Sequence, residues 1–178
     1  MPSFNPPPIQ ILVTGGTIDS HWDGKFDTAV VNEASVIPDY FKRLILYANI
    51  EIVTICLKDS RNLSTDDLQN LLSAIGKSTS QKIIVTHGTY TMPDTAKFLA
   101  ANLERKDQTV ILTGSMVPLS GFQSDASDAP FNLGFALAKA EDMPAGIYLA
   151  MNGRLFHPDE VAKNLAEGKF YSVFERKG

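Results

Sequence analysis

Short apolar runs alternate along this chain with longer stretches whose apolar residues recur at helical spacing. Residues 9–14, 50–57, 82–86, 109–113 and 146–151 read as five strands, with the near-continuous apolar character of strands covered on both faces. Between the first two, Ile37, Phe41, Leu44 and Ile45 predict a helix over residues 36–47, and Pro38 sits in its first turn, where a missing amide donor costs nothing. Ser64 reads as the N-cap of a helix carrying Leu68, Leu71, Leu72 and Ile75 on one face. Thr91, Pro93 and Asp94 open a helix to about residue 105, and another covers roughly 129–141. This alternation predicts an α/β fold: a single doubly wound parallel sheet of about five core strands with helices on both faces.

Three segments lack a clear period. Residues 1–8, with Pro2, Pro6, Pro7 and Pro8, predict a disordered proline-rich tail, leaving residues 9–178 as a single domain. Residues 19–33 are polar and irregular around Gly24 and predict a long, mobile loop able to act as a lid. Residues 158–178 combine a weak helical period with Phe170, Tyr171, Val173 and Phe174, which suit an edge strand or a partner-facing tail.

Composition narrows the function classes. The 178 residues carry a formal net charge of −4 and no Lys/Arg cluster, which argues against nucleic acid as the partner. No run approaches the ~18 apolar residues of a membrane span, and no cationic start precedes an apolar stretch, so the expectation is a cytoplasmic protein that does not engage membrane. The one cysteine, Cys56, reads as a core thiol. His21, His87 and His157 are scattered without ligand spacing, so no metal is expected.

The candidate chemistry lies where apolar runs end. Gly15-Gly16-Thr17, Asp59-Ser60, His87-Gly88-Thr89 and Gly114-Ser115 each follow a predicted strand. Ligands of open α/β sheets bind outside the carboxyl ends of the strands, so these hydroxyls converge on one crevice. Gly-Gly-Thr alone equally suits a turn or helix cap, and Asp59-Ser60 equally suits an Asx-turn. Thr91 is the better cap for the next helix, which leaves Thr89 free. Asp59 and Ser60 suit the ammonium and carboxylate ends of an amino acid. Neither phosphate-binding glycine pattern is present.

Val13-Thr14-Gly15-Gly16-Thr17-Ile18, Asp59-Ser60-Arg61-Asn62-Leu63-Ser64, Thr86-His87-Gly88-Thr89-x-Thr91-Met92, Thr113-Gly114-Ser115-Met116-x-Pro118 and Pro130-Phe131-Asn132-Leu133 together resemble the bacterial-type L-asparaginases. The resemblance covers the amino-terminal domain of that two-domain family. It implies hydrolysis of L-asparagine to L-aspartate and ammonia without a cofactor, with Thr17 as nucleophile and Thr89 as second catalytic threonine. Asp59 and Ser60 become the substrate clamp, Ser115 falls in the segment facing the reacting amide, and Gly16 and Gly88 line the site. It also implies a homo-oligomer, either a dimer or a dimer of dimers.

Three positions depart from the family pattern. Tyr90 stands where the family has Asp, and Phe26 where it has a mobile tyrosine. Alignment of the family's catalytic lysine lands on Met143, so Lys139, one turn earlier, is taken as its replacement, with the Tyr90 phenol as a further proton-handling group. These departures leave two alternatives: an asparaginase-like module that binds an amino acid with little turnover, or an amidase preferring glutamine or another amide.

Overall fold

The computed structural model describes residues 8–121 and 126–175, so the expected disordered tail falls, but for Pro8, outside the described residues. Chain order begins with β1 (Ile9–Gly15), a short hairpin of β2 (Ser20–Asp23) and β3 (Thr28–Val31), α1 (Ile37–Lys42) and β4 (Ile50–Lys58). Next come α2 (Thr65–Lys77), β5 (Lys82–Thr86), α3 (Met92–Asn102), β6 (Thr109–Thr113), α4 (Ala129–Asp142) and β7 (Gly146–Met151). Three short strands follow: β8 (Arg154–Phe156), β9 (Val161–Asn164) and β10 (Lys169–Ser172).

The main sheet has the order β4-β1-β5-β6-β7-β8. Its first five strands are parallel, and β8 closes the far edge antiparallel to β7. Strand alternation sorts the core into two layers. Leu12, Ile83, Val85, Val110 and Leu112 pack with Leu71 and Ile75 of α2 and with Met92, Ala96 and Leu99 of α3. Ile9, Ile11, Val13, Ile84 and Ile111 face the other way, against Ile37 and Phe41 of α1 and Ala129, Leu133, Ala136 and Ala140 of α4. Fully burying side chains of this size is worth about 1.5–3 kcal/mol each, and both faces are covered, as the sheet class requires.

The chain leaves β1 toward β4 on one side and returns to β5 on the other. The β1/β5 boundary is therefore the topological switch point, where the following loops diverge and open a crevice.

Several expectations are corrected. The long loop is a hairpin: Ser20–Asp23 pairs antiparallel with Thr28–Val31 around a turn in which Asp27 takes φ 51°. Its base is tied down by the Asn32 amide donating to the Asp19 carbonyl and the Val36 amide donating to Asp19 Oδ1, at 3.0 and 2.8 Å. Helix α1 stops at Lys42, because only Ile37 and Phe41 have sheet to cover, and Ile45 and Tyr47 stand fully exposed. Residues 161–172, left open between an edge strand and a partner-facing tail, form the β9–β10 hairpin, a two-stranded sheet of its own. Its Phe170 packs into the core, so of the expected aromatic tail only Tyr171 and Phe174 face solvent. Cys56 is half-buried on edge strand β4, where its thiol donates to the Thr14 carbonyl at 3.6 Å and burial pushes its pKa up to about 11. At α2 the capping box forms in full, with the Asp67 amide donating to Ser64 Oγ and the Ser64 amide donating to Asp67 Oδ2.

Candidate active site

The switch-point crevice has a volume of about 250 Å³. It is lined by Gly16 and Thr17 after β1, Asp59, Ser60 and Arg61 after β4, Gly88, Thr89 and Tyr90 after β5, Met116 after β6, and Lys163 from β9. Two glycines let these loops meet. A Cβ on Gly16, which has φ +82°, would overlap the Gly88 backbone, and a Cβ on Gly88 would sit 2.7 Å from Cβ of Ser60. The loops after β1, β5 and β4 thus interlock backbone to backbone, an approach that only residues without side chains allow.

Thr17 is half-buried, and its hydroxyl has no protein hydrogen-bond partner among the described residues. Thr89 is in the opposite condition. Lys163 Nζ donates to Thr89 Oγ1 at 2.7 Å, and that hydroxyl in turn points at Met116 Sδ, 3.7 Å away. The Lys163 ammonium lies 5.9 Å from the centre of the Phe170 ring, and burial pushes its pKa below the ordinary lysine range. Among the described residues no carboxylate forms an ion pair with it. A lysine this close to a hydroxyl, eased toward its neutral form, can exchange a proton with it.

Asp59 both caps the turn at Ser60–Asn62 and pairs with Arg61. Its Oδ1 accepts from the Arg61 amide at 2.8 Å and from Nε at 3.0 Å, and its Oδ2 accepts from Nη2 at 2.8 Å. These bonds hold its carboxyl below the usual carboxylate range. Ser60 is buried, and its carbonyl accepts from the Thr91 hydroxyl at 3.0 Å, so Thr91 braces this loop instead of capping its own helix with that hydroxyl. The Tyr90 ring is half exposed, with the Arg61 guanidinium 5.7 Å from its centre.

The remaining motif residues are braces. His87 is fully buried between the Gly88 carbonyl, 2.7 Å from Nδ1, and Thr95 Oγ1, 3.0 Å from Nε2, and burial pushes its pKa down to about 4. The ring is neutral near pH 7, with both nitrogens engaged. Asn132 donates to the Gly114 carbonyl at 2.9 Å and accepts from the Asn152 amide at 2.8 Å, tying the loop after β6 to the turn after β7. Asp128 accepts from the Met116 and Val117 amides and fixes the same loop.

Two expected site residues lie elsewhere. Lys139 is in the last turn of α4, its ammonium over the Phe135 ring. That helix begins at the carboxyl edge of the sheet and runs back toward the strand starts, where the Met143 carbonyl meets Lys82 and Thr109. Ten residues of helix carry Lys139 about 15 Å from that edge. Ser115 is buried with its hydroxyl donating to the Val117 carbonyl at 2.6 Å, and its neighbour Met116 lines the crevice instead. Phe26 sits exposed in the turn of the β2–β3 hairpin, outside the lining.

Lys163, Arg61 and Met116 are the lining residues that sequence reasoning missed as site members. The signal available for Lys163 was a pair of short strand-like runs flanking Glu167-Gly168, a hairpin pattern.

The family model described as "Asparaginase, N-terminal" matches residues 8–172. A glutaminase-asparaginase from Acinetobacter glutaminasificans is 28% identical over 88% of this chain and 50% of its own length. An L-asparaginase from Thermococcus kodakarensis is 30% identical over 92% of this chain and 50% of its own. The solved structure of a probable cytoplasmic L-asparaginase from Campylobacter jejuni superposes with a TM-score of 0.78 at 27% identity, covering 94% of this chain and 53% of that one. The chain thus spans about half the length of the curated relatives it matches. With the family model matching nearly every described residue, and with a shared fold, the chain belongs to the asparaginase amino-terminal family.

Proposed function

We propose that this chain is an amidohydrolase that converts L-asparagine to L-aspartate and ammonia. The observation that carries this reading is the 2.7 Å bond from Lys163 to Thr89 in the crevice that Thr17 also lines. The names of its relatives support it.

Thr17 Oγ1 attacks the side-chain amide carbon, and its proton passes by way of Thr89 Oγ1 to neutral Lys163. The leaving nitrogen takes that proton and departs as ammonia, which leaves an ester on Thr17. Water then attacks the ester and gives its proton to the same pair. The proton returns to Thr17 Oγ1 as aspartate leaves, so one amide and one water become one acid and one ammonia. Ser60, Asp59 and Arg61 hold the far end of the substrate, and Gly16 and Gly88 let its backbone approach closely.

The test is ammonia release by the purified chain with L-asparagine, run beside L-glutamine. Release from asparagine at the higher kcat/KM is expected. Binding without release would identify an amino-acid-binding module, and faster release from glutamine a glutaminase.

The same proposal places the protein in the cytoplasm as a homo-oligomer, a dimer or a dimer of dimers. The exposed Tyr171, Val173 and Phe174 supply an apolar surface for association. Light scattering is expected to give at least twice the 19.4 kDa chain mass, and a fully active monomer would overturn this part.

A further inference from the structure

We infer that the crevice selects a short amide bearing a carboxylate at its far end and no free α-ammonium, the class of a four-carbon dicarboxylic acid monoamide. This rests on the amidohydrolase reading above and sharpens its substrate.

The charges lining the crevice decide the matter. Among the lining residues Arg61 is the standing cation, Lys163 is an amine that burial eases toward its neutral form, and Asp59 is the one carboxylate. That carboxylate is already satisfied: both of its oxygens accept from Arg61, one of them from the backbone amide as well. The partners are two residues apart, and Asp59 also caps the turn between them, so the pairing costs little further ordering. Beside Thr89 stands Tyr90, whose phenol adds no carboxylate to the lining. An incoming α-ammonium thus meets the Arg61 cation and must compete with it for Asp59.

An incoming carboxylate meets the reverse. Arg61 directs Nε and Nη2 at Asp59, which leaves Nη1 and the second hydrogen of Nη2 to donate. Its side chain is 63% exposed and lines the crevice beside the Tyr90 ring. Planar two-point recognition of a carboxylate is the interaction a guanidinium makes best. Arg61 is therefore the specificity-determining residue, with Tyr90 as its complement by exclusion of charge.

The probe is succinamic acid, which is asparagine without its amino group. The full chain is expected to release ammonia from it with a kcat/KM about ten-fold or more above that for L-asparagine, the cost of an ammonium left without a charged partner. Tyr90→Asp, which restores a carboxylate beside Thr89, and Arg61→Ser, which frees Asp59, should each move that ratio toward asparagine by about ten-fold. Circular dichroism of both variants checks that the fold is kept. If the unaltered chain prefers asparagine, this inference falls and the amidohydrolase reading stands. If the ratio ignores both substitutions, the assignment to Arg61 and Tyr90 falls. If neither amide yields ammonia, the reading beneath it falls as well.

Discussion

Thr17→Ala is expected to yield a folded protein that releases ammonia at least about 10⁴-fold more slowly than the unaltered chain, the scale on which loss of a covalent nucleophile registers. Its physical basis is the isolation of the hydroxyl. No described residue hydrogen-bonds to it, so the substitution leaves no buried partner orphaned and opens no core cavity. The unfolding midpoint should stay within a few degrees of the parent, and affinity for aspartate, held at Asp59, Ser60 and Arg61, should change little. Ammonia release, a thermal melt and an aspartate titration on one preparation test all three. Turnover kept at a tenth of the parent value or more would remove Thr17 as the nucleophile.

Lys163→Met carries the second large effect, a fall in kcat of about 10²–10⁴-fold, the range typical of losing a positioned proton acceptor. Methionine keeps an unbranched apolar side chain and removes the ammonium, and the backbone pairing of β9 with β10 is untouched, so the hairpin should stay in place. The pH profile separates a chemical role from a structural one. Burial lowers the pKa of Lys163, and the proposed mechanism has its neutral form accept the proton. Activity of the unaltered chain should therefore rise with pH through that lowered value and level off above it. The rise should vanish in Lys163→Met, whose residual activity no longer follows this group. A variant keeping both the rate and the rising limb would assign the proton to another acceptor.

The strands and their ends were legible because burial on both faces writes a continuous apolar run. Lys82–Thr86, Thr109–Thr113 and Gly146–Met151 follow directly from such runs. Thr17, Asp59, Ser60 and Thr89 were legible for the related reason that parallel strands present their carboxyl ends along one edge. Lys163 was hidden because it reaches the crevice from a hairpin outside the main sheet, whose two four-residue strands hold Val161 and Phe170 toward the core and are too short to display a period. Lys139 misled because shared helical phase says which face a residue occupies and nothing about how far along the axis it lies. Ser115 misled because a strand-end hydroxyl can satisfy itself locally, as it does on the Val117 carbonyl. Residues 20–31 read as loop because the four-residue strands are too short to display a period.

The order in which the crevice is completed along the chain has a consequence for synthesis. The main sheet is finished at Phe156, and both threonines, the Asp59–Arg61 loop and the glycine contacts belong to residues already laid down by then. The lysine that touches Thr89 comes seven residues later, on a hairpin whose second strand ends at Ser172. A ribosome-bound chain thus exposes the strand-end loops of the crevice before the hairpin that brings Lys163 to Thr89. On the proposed mechanism, a chain whose last hairpin has not yet emerged and docked would lack the amine needed to cut an amide.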